Sequence, residues 1–143
     1  MDIDDLPPVE ALKKLVEFTF DHHLHNPDVV RLIMIENIHH GRYLTGSEFI
    51  KDLNETAIDK VSRICRRGRA AGIFRRDVTP LQLHWQISAL CFFNISNQAT
   101  FSLIFGDQLH RARTRKNVRN SIVDMVIRFV IEPNKISRFI KEA

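Results

Sequence analysis

The segment Pro80–Phe105 constrains the fold most, because it predicts one long helix that is apolar around its whole circumference. Thr79 and Gln82 have the spacing of a helix-capping box, and Pro80 takes the first helical position. A surface helix of a small domain needs only one apolar stripe. This helix carries large apolar side chains on two sides, so more than one of its faces must be covered by other helices.

The rest of the chain predicts helices and no strands. With 143 residues it has the size of one domain, and its five glycines and five prolines are too few for a loop-rich β fold. We predict an all-α bundle of five to six helices, in one domain over 1–143 with a core over 8–132 and a tail over 133–143. Besides the long helix, the predicted helices span Val9–Leu24, Pro27–His40, Gly46–Ala71 and Thr114–Ile131.

Several classes of protein are disfavoured by composition. Apolar runs such as Leu32–Ile35 are far too short to cross a bilayer, and the acidic start Met1–Asp5 does not resemble a secretion signal. We therefore expect a cytoplasmic chain with no membrane partner. Cys65 and Cys91 are isolated in apolar surroundings and form no CxxC pattern, which indicates reduced core residues.

Charge is divided unevenly along the chain, although the net charge is only +4. Residues 1–62 carry 12 acids and 6 bases, whereas residues 63–143 carry 5 acids and 15 bases. Two arginine-rich clusters over 63–76 and 111–119 cause the difference. They suit either a nucleic-acid face or solvated helix faces and helix ends, and we favour the second interpretation because no aromatic residues interleave with them.

The surplus of apolar surface predicts self-association through the last two long helices. The helix over Thr114–Ile131 also has a broad apolar face, so a monomer would leave apolar surface in water. Two copies would bury it in an intermolecular four-helix bundle. The alternative is that the helix over Pro80–Phe105 is a central core helix surrounded by the other four. The predicted interface residues are Trp85, Phe92, Ala99, Ile122, Met125, Val126 and Phe129.

Two stretches resemble a known family. The connection Gly72–Pro80, which has the pattern G-I-x-R-x-D-x-x-P, and the stretch from Asn26 to Gly41 are similar to the C-terminal regulatory domain of TetR-family transcriptional regulators. The order of the helices over about residues 8–132 is similar too. The resemblance implies a helical domain that dimerises through its last two helices and binds a small effector molecule.

The same resemblance implies a separate DNA reader that this chain lacks. Family members begin with a helix-turn-helix domain of about fifty residues, and only Met1 precedes Asp2 here. We expect a fragment of a longer regulator rather than a natural chain that lost its reader. The implied function is an effector-binding and dimerisation domain whose partners are itself, an unknown small molecule and, only through the missing domain, DNA. The alternative is a stand-alone helical dimerisation or adaptor module without a ligand.

Amide side chains set among aromatic residues predict where the effector binds. Ligand pockets are mostly apolar with a few placed polar groups, and buried amides need hydrogen-bond partners. We predict a pocket between the first four helices, although the same amides could satisfy one another in a solid core. The predicted ligand-binding residues are Phe18, His22, Met34, Asn37, Gln86, Leu90, Phe93 and Asn97.

Catalytic and metal signals are weak. The spacing Glu36-x-x-His39 occurs in di-iron bundles, but the second pair that such a site needs, Asp107-x-x-His110, falls in a connection. A zinc site from His22, His39 and a carboxylate is a second possibility, and histidines that cap helix ends are the common case. Without a nucleophile elbow or a phosphate loop, we expect no enzyme, no cofactor and no bound metal.

Overall fold

The computed structural model describes residues 3–45 and 48–139, with the backbone alone over residues 48–56. The all-α prediction is confirmed: over this part of the chain there are α-helices, short 3-10 turns and no strand. The α-helices are α1 (Pro8–His25), α2 (Pro27–Ile38), α3 (Glu48–Ala70), α4 (Pro80–Ser96), α5 (Gln98–Phe105), α6 (Ala112–Val130) and α7 (Ile136–Phe139).

Three of these helices begin where the prolines predict. Pro8, Pro27 and Pro80 each lie in the first turn, where the missing N–H would have no intrahelical partner. The capping box of α4 is formed: the Gln82 N–H donates to Thr79 Oγ1 at 3.2 Å, and the Thr79 N–H donates to Gln82 Oε1 at 2.9 Å. The start of α4 is therefore set by its own sequence.

The long apolar helix, in contrast, is broken. It divides at Asn97 into α4 and α5, whose axes differ by 65°. Around the break, Asn94 Nδ2 donates to the Leu90 carbonyl at 2.8 Å and Asn97 Nδ2 donates to Ser96 Oγ at 2.8 Å. Such short polar side chains compete for hydrogen bonds near the backbone and weaken a helix without glycine or proline. The prediction of one helix over Pro80–Phe105 was wrong on this point.

The bend also matters for whether α4 and α5 together could span a membrane. No helix in the described ranges is, by itself, long and apolar enough to span one. Taken together, α4 and α5 meet the length and composition of a span, but with the 65° break between them.

One core holds the helices together. Helix α4 packs against α1, α2, α3 and α6, and buries the single stripe Leu83, Ile87 and Cys91. Cys65 on α3 is buried as well, as predicted for both cysteines. Burial, together with the charge of Asp21, raises the pKa of the Cys91 thiol to about 12. Both cysteines are therefore small core side chains rather than reactive thiols.

The connection between α3 and α4 packs against the end of α6 and forms backbone hydrogen bonds with it. Phe74 is buried and pairs with Ile131 in an isolated antiparallel bridge. The Arg75 N–H donates to the Val130 carbonyl at 2.8 Å. A notch at Gly68 admits the Phe74 ring, because the space that a Cβ would occupy at Gly68 is filled by that ring.

We predict that Gly68→Ala destabilises the fold by about 1–3 kcal/mol, the usual cost of overpacking. The added methyl overlaps the Phe74 ring, which is buried and has no free direction in which to move. Urea denaturation would measure the change. Ala70→Ser, at an exposed position two residues later in α3, is the matched control and should stay within about 0.5 kcal/mol of the parent chain. An unchanged midpoint for Gly68→Ala would contradict the notch.

Candidate effector cleft and association face

A cleft of about 440 Å³ lies between α2 and the bend that separates α4 from α5. Its volume falls in the range of small-molecule sites, which is roughly 300–1,000 Å³. One wall comes from α2 and the other from the last turn of α4 and the first turns of α5. Its lining residues are Pro27, Val30, Arg31, Met34, Ile95, Ser96, Gln98, Ala99 and Ser102.

The walls of the cleft combine apolar surface with a few polar groups. Val30 is almost fully buried, and Met34 beside it has the flexible side chain that fills irregular spaces. Polar atoms come from the bend side, where two serines and Gln98 face the cleft. Arg31 lies at the rim in an exposed ion pair with Asp28 at 3.2 Å. The cleft therefore suits a mainly apolar molecule with one or two hydrogen-bonding groups.

The residues predicted to bind a ligand are not brought together in one cavity. Met34 lines the cleft. Phe93 and Asn97 line a smaller pocket of about 140 Å³. Leu90 lines a groove of about 450 Å³ between α4 and α6. None of the described depressions is lined by the other four, Phe18, His22, Asn37 and Gln86.

In α2 the buried polar side chain is Glu36 rather than Asn37. Asn37 is exposed, and its amide donates to the Ile33 carbonyl at 3.0 Å. Glu36 is 5% exposed, and its Oε2 accepts the N–H groups of Tyr43 and Leu44 at 3.1 and 3.2 Å. Adjacent helix residues point about 100° apart, so an error of one position in the buried face exchanges the two roles.

At the far end of α1, Phe18 and His22 form a pair of their own. Their rings stack with centroids 5.9 Å apart, and both side chains are exposed. The cleft is also lined by Ser96, Gln98 and Ser102, which were not among the predicted ligand-binding residues. The only sequence signal for them is a run of short polar residues inside an otherwise apolar helix.

The exposed apolar surface, which we term the candidate association face, lies on α4 and α5 more than on α6. Trp85 on α4 is 65% exposed and Ala99 on α5 is also exposed, while Phe92 is half-buried. Ile122 and Val126 were predicted at the interface, but the structure buries both in the core of the protomer itself. They face α1 and α4 because the broad apolar face of α6 is largely used inside the chain.

Two further predicted interface residues on α6 keep some free surface. Met125 is 47% exposed. Phe129 is half-buried, with the Arg75 guanidinium 5.8 Å from the centre of its ring. An interface that uses α6 would therefore involve the side of the helix that carries Met125, and not the buried side that carries Ile122.

A shallow slot of about 300 Å³ connects α1 to this face. It is lined by His23, Trp85, Ser88, Ala89 and Phe92. The His23 ring meets the Phe92 ring edge-on, with centroids 5.7 Å apart. Burial, and then the neighbouring His22, lower the pKa of His23. The neutral imidazole is thus favoured at this position.

Many of the clustered basic side chains form hydrogen bonds or ion pairs within the protomer. Arg67 donates to the carbonyls of Ile3 and Leu6, and Arg69 donates to the Val78 carbonyl at 2.5 Å. Arg119 pairs with Asp21 at 2.6 Å. These side chains therefore have structural roles within the protomer.

The histidines do not assemble with other ligands in the described part of the chain. No group of three or more His, Cys, Asp or Glu side chains there is placed to hold a metal ion. His22 approaches Asn26, with 3.4 Å between Nδ1 and Nδ2, and His39 meets the Tyr43 ring edge-on at 5.5 Å. The two histidines considered for zinc thus contact different neighbours.

Comparison with known proteins identifies one family and one relative that this chain resembles. Residues 8–126 match the family described as tetracyclin repressor-like, C-terminal domain. A relative, the HTH-type transcriptional repressor NicS of Pseudomonas putida, is 29% identical over 126 residues. The match covers 88% of this chain and 59% of the relative, so the chain spans well under two thirds of the length of that repressor.

We predict that the free energy of unfolding falls as the pH drops below about 6.5, the ordinary pKa of histidine. The pKa values of His23 and His84 are lowered by burial, so the unfolded chain binds more protons than the folded chain in this window. Stability is then full above the unfolded pKa and is lost as the pH falls toward the folded pKa.

Urea denaturation between pH 7.5 and 5.5, at fixed protein concentration, measures this slope. His23→Gln should flatten it, while the control His39→Gln, at an exposed histidine, should leave it unchanged. Equal slopes for the parent chain and His23→Gln would show that His23 does not contribute.

Proposed function

This chain belongs to the tetracyclin repressor-like C-terminal domain family, and we propose that it is the effector-binding and dimerisation domain of a transcriptional regulator. The observation that carries the proposal is the pairing of an uncovered apolar face on α4 and α5 with a small-molecule cleft at the bend between them. This function is regulatory and not enzymatic. A role next to DNA would place it in the cytoplasm.

Dimerisation is supported by the amount of apolar surface left on α4, α5 and their neighbours. A stable interface needs about 800 Å² from each partner, and large side chains with close to half or more of their surface exposed supply on the order of 100 Å² each. Eight such side chains therefore reach the required area. They are Leu81, Trp85, Phe93, Leu103, Ile104, Phe105, Leu109 and Met125.

Effector binding is supported by the position of the cleft. A molecule in it would touch α2 on one side and both α4 and α5 on the other. Its binding energy could therefore favour one angle of the bend at Asn97 over another, which is the requirement for a ligand to shift a conformational equilibrium. We propose Met34, Gln98 and Ser102 as contacts of the effector.

DNA reading is assigned to a segment outside this chain. The name of the relative states a helix-turn-helix type, and the chain covers 59% of that protein. The exposed arginines here supply only salt-sensitive contacts to phosphates, which carry no sequence information. We propose that this domain dimerises and binds the effector, while the remaining part of the regulator reads DNA.

A second candidate is a dimerisation module without a ligand. It is favoured by one observation, the scattering of the predicted ligand-binding residues over three separate depressions. The two candidates share the association face and differ only in whether the cleft at the bend is used.

We predict a dimer with twice the 16.7 kDa chain mass at micromolar concentration, by light scattering after size exclusion. Ala89→Glu, which puts a charge on the exposed side of α4 next to Trp85, should shift the mass toward that of the monomer. Burying an unpaired carboxylate costs several kcal/mol. Asn120→Glu, an exposed position of α6 outside the described depressions, is the control and should remain a dimer. A monomeric parent chain would refute the proposed dimerisation.

We predict that Ala99→Trp blocks the cleft. The indole would occupy the space next to Met34 and lower the affinity for the probe 1-anilinonaphthalene-8-sulfonate by about tenfold, or 1.4 kcal/mol. Thr100→Trp adds the same ring to the next residue of α5, which does not line the cleft. Fluorescence titration of both variants measures the effect. Equal probe affinity in the two variants would argue for the module without a ligand.

A further inference from the structure

We propose that the cleft at the bend binds a small organic monocarboxylate, a molecule with an apolar body and one ionised carboxyl group. The inference rests on the proposed effector binding and deepens it, because it assigns the chemical class of the effector. Three properties of the lining residues carry it: their charge, their hydrogen-bonding groups and their apolar surface.

Arg31 gives the cleft its charge. Among the described residues that line the cleft, Arg31 is the charged one, and neither an aspartate nor a glutamate is among them. The guanidinium carries its N–H donors in a planar fork that matches the two oxygens of a carboxylate. A cationic ligand would be repelled by this group, and a neutral ligand would gain less from it than an anion. The charge of the lining therefore favours a ligand with one negative group.

Arg31 is available for such a ligand. Its Nη1 donates to Asp28 Oδ1 at 3.2 Å, and both side chains are largely exposed. Exposed ion pairs of this kind contribute little to stability, because water competes for both charges. The pair is joined by one hydrogen bond. The guanidinium can therefore exchange Asp28 for a ligand carboxylate, or bind both, at small cost.

The opposite wall of the cleft supplies hydrogen-bond donors. Ser96 Oγ accepts from Asn97 Nδ2 at 2.8 Å, so the Ser96 O–H is left to donate to a ligand. Gln98, the first residue of α5, lines the same wall, and its side-chain amide can donate as well. The Ser102 hydroxyl already has one partner, because its Oγ lies 3.1 Å from His110 Nδ1. A carboxylate only accepts hydrogen bonds, so it suits walls that carry donors on both sides.

The rest of the lining is apolar and requires an apolar body on the ligand. Val30 is almost fully buried, and Met34 lies one helical turn later on the same side of α2. Arg31 follows Val30 directly and lies at the rim, where water still reaches it. The ligand would place its apolar body against Val30 and Met34 and its carboxyl group beside Arg31. An inorganic anion would leave the apolar walls uncovered.

Two naphthalene probes of nearly equal size test the assignment. Naphthalene-2-carboxylate is an anion at about pH 7.5, because carboxyl groups titrate near pH 4, and naphthalene-2-carboxamide is its neutral counterpart. We expect isothermal titration calorimetry to show at least about tenfold tighter binding of the carboxylate, since hydrogen bonds to charged groups are the stronger ones. Equal affinity for the two probes, or tighter binding of the carboxamide, overturns the proposal.

Removing the charge of Arg31 should affect one probe and not the other. Arg31→Gln is expected to weaken binding of the carboxylate about tenfold and to leave the carboxamide within about twofold. Arg42→Gln is the matched control, because Arg42 is an exposed arginine beyond the end of α2 that lines none of the described depressions. An equal loss in the two variants, or an equal loss for the two probes, contradicts a direct contact between Arg31 and the carboxyl group.

Removing the present partner of Arg31 should have the opposite effect. Asp28→Asn frees the guanidinium and is expected to strengthen binding of naphthalene-2-carboxylate by about two- to fivefold, the range set by the small contribution of an exposed pair. Asp124→Asn breaks a similar exposed pair with Arg128 on α6, away from the cleft, and should leave the affinity unchanged. Weaker or unchanged binding in Asp28→Asn contradicts the exchange of partners by Arg31.

The outcomes separate this inference from the proposed function. If Ala99→Trp weakens both naphthalene probes and Arg31→Gln weakens neither, the cleft binds small molecules and the assignment to carboxylates is refuted. If neither probe binds the parent chain, effector binding in this cleft and its chemical class are both refuted. If inorganic phosphate binds as tightly as naphthalene-2-carboxylate, the cleft accepts any anion, and the assignment to an organic monocarboxylate is refuted.

Discussion

The structure depends on one imbalance. Helices α4 and α5 carry more apolar surface than the rest of the chain can cover. On α4 only the stripe of Leu83, Ile87 and Cys91 is buried, although this helix contacts α1, α2, α3, α5 and α6. A large apolar side chain left in water forgoes about 1.5–3 kcal/mol of burial. Such exposed side chains include Trp85, Phe93 and the outer residues of α5. In the proposed dimer, association of two copies buries these side chains.

The bend at Asn97 joins the two proposed activities in one place. On one side of it lies the cleft, where Ser96 and Gln98 flank the break itself. On the other side, α5 carries its uncovered apolar residues away from the axis of α4. A ligand that bound the two bend angles with different affinity would therefore change the position of α5 in the dimer. Effector binding and dimerisation would then be coupled through the bend at Asn97.

Much of the fold could be predicted from the sequence, because capping residues and prolines act locally. The starts of α2 and α4 follow from Pro27 and from the box of Thr79 and Gln82. The break at Asn97 was missed, because no glycine or proline marks it. Which face of α6 is internal was also not predictable: Ile122 and Met125 are both apolar, and only packing against α1 and α4 decides that the first is buried. For the candidate site, Met34 lines the cleft, whereas the buried polar residue of α2 is Glu36 rather than the expected Asn37, because neighbouring residues on a helix point about 100° apart.

Hydrogen–deuterium exchange of α5 at several protein concentrations measures whether a second copy covers this helix. In the protomer the outer side of this short helix is uncovered, so its amides should exchange quickly in the monomer. The proposed dimerisation predicts that the amides of Gln98–Phe105 are protected at high concentration and lose protection on dilution, together with the change in mass. Exchange in α5 that stays fast and independent of concentration, in a sample that is dimeric by mass, would contradict it.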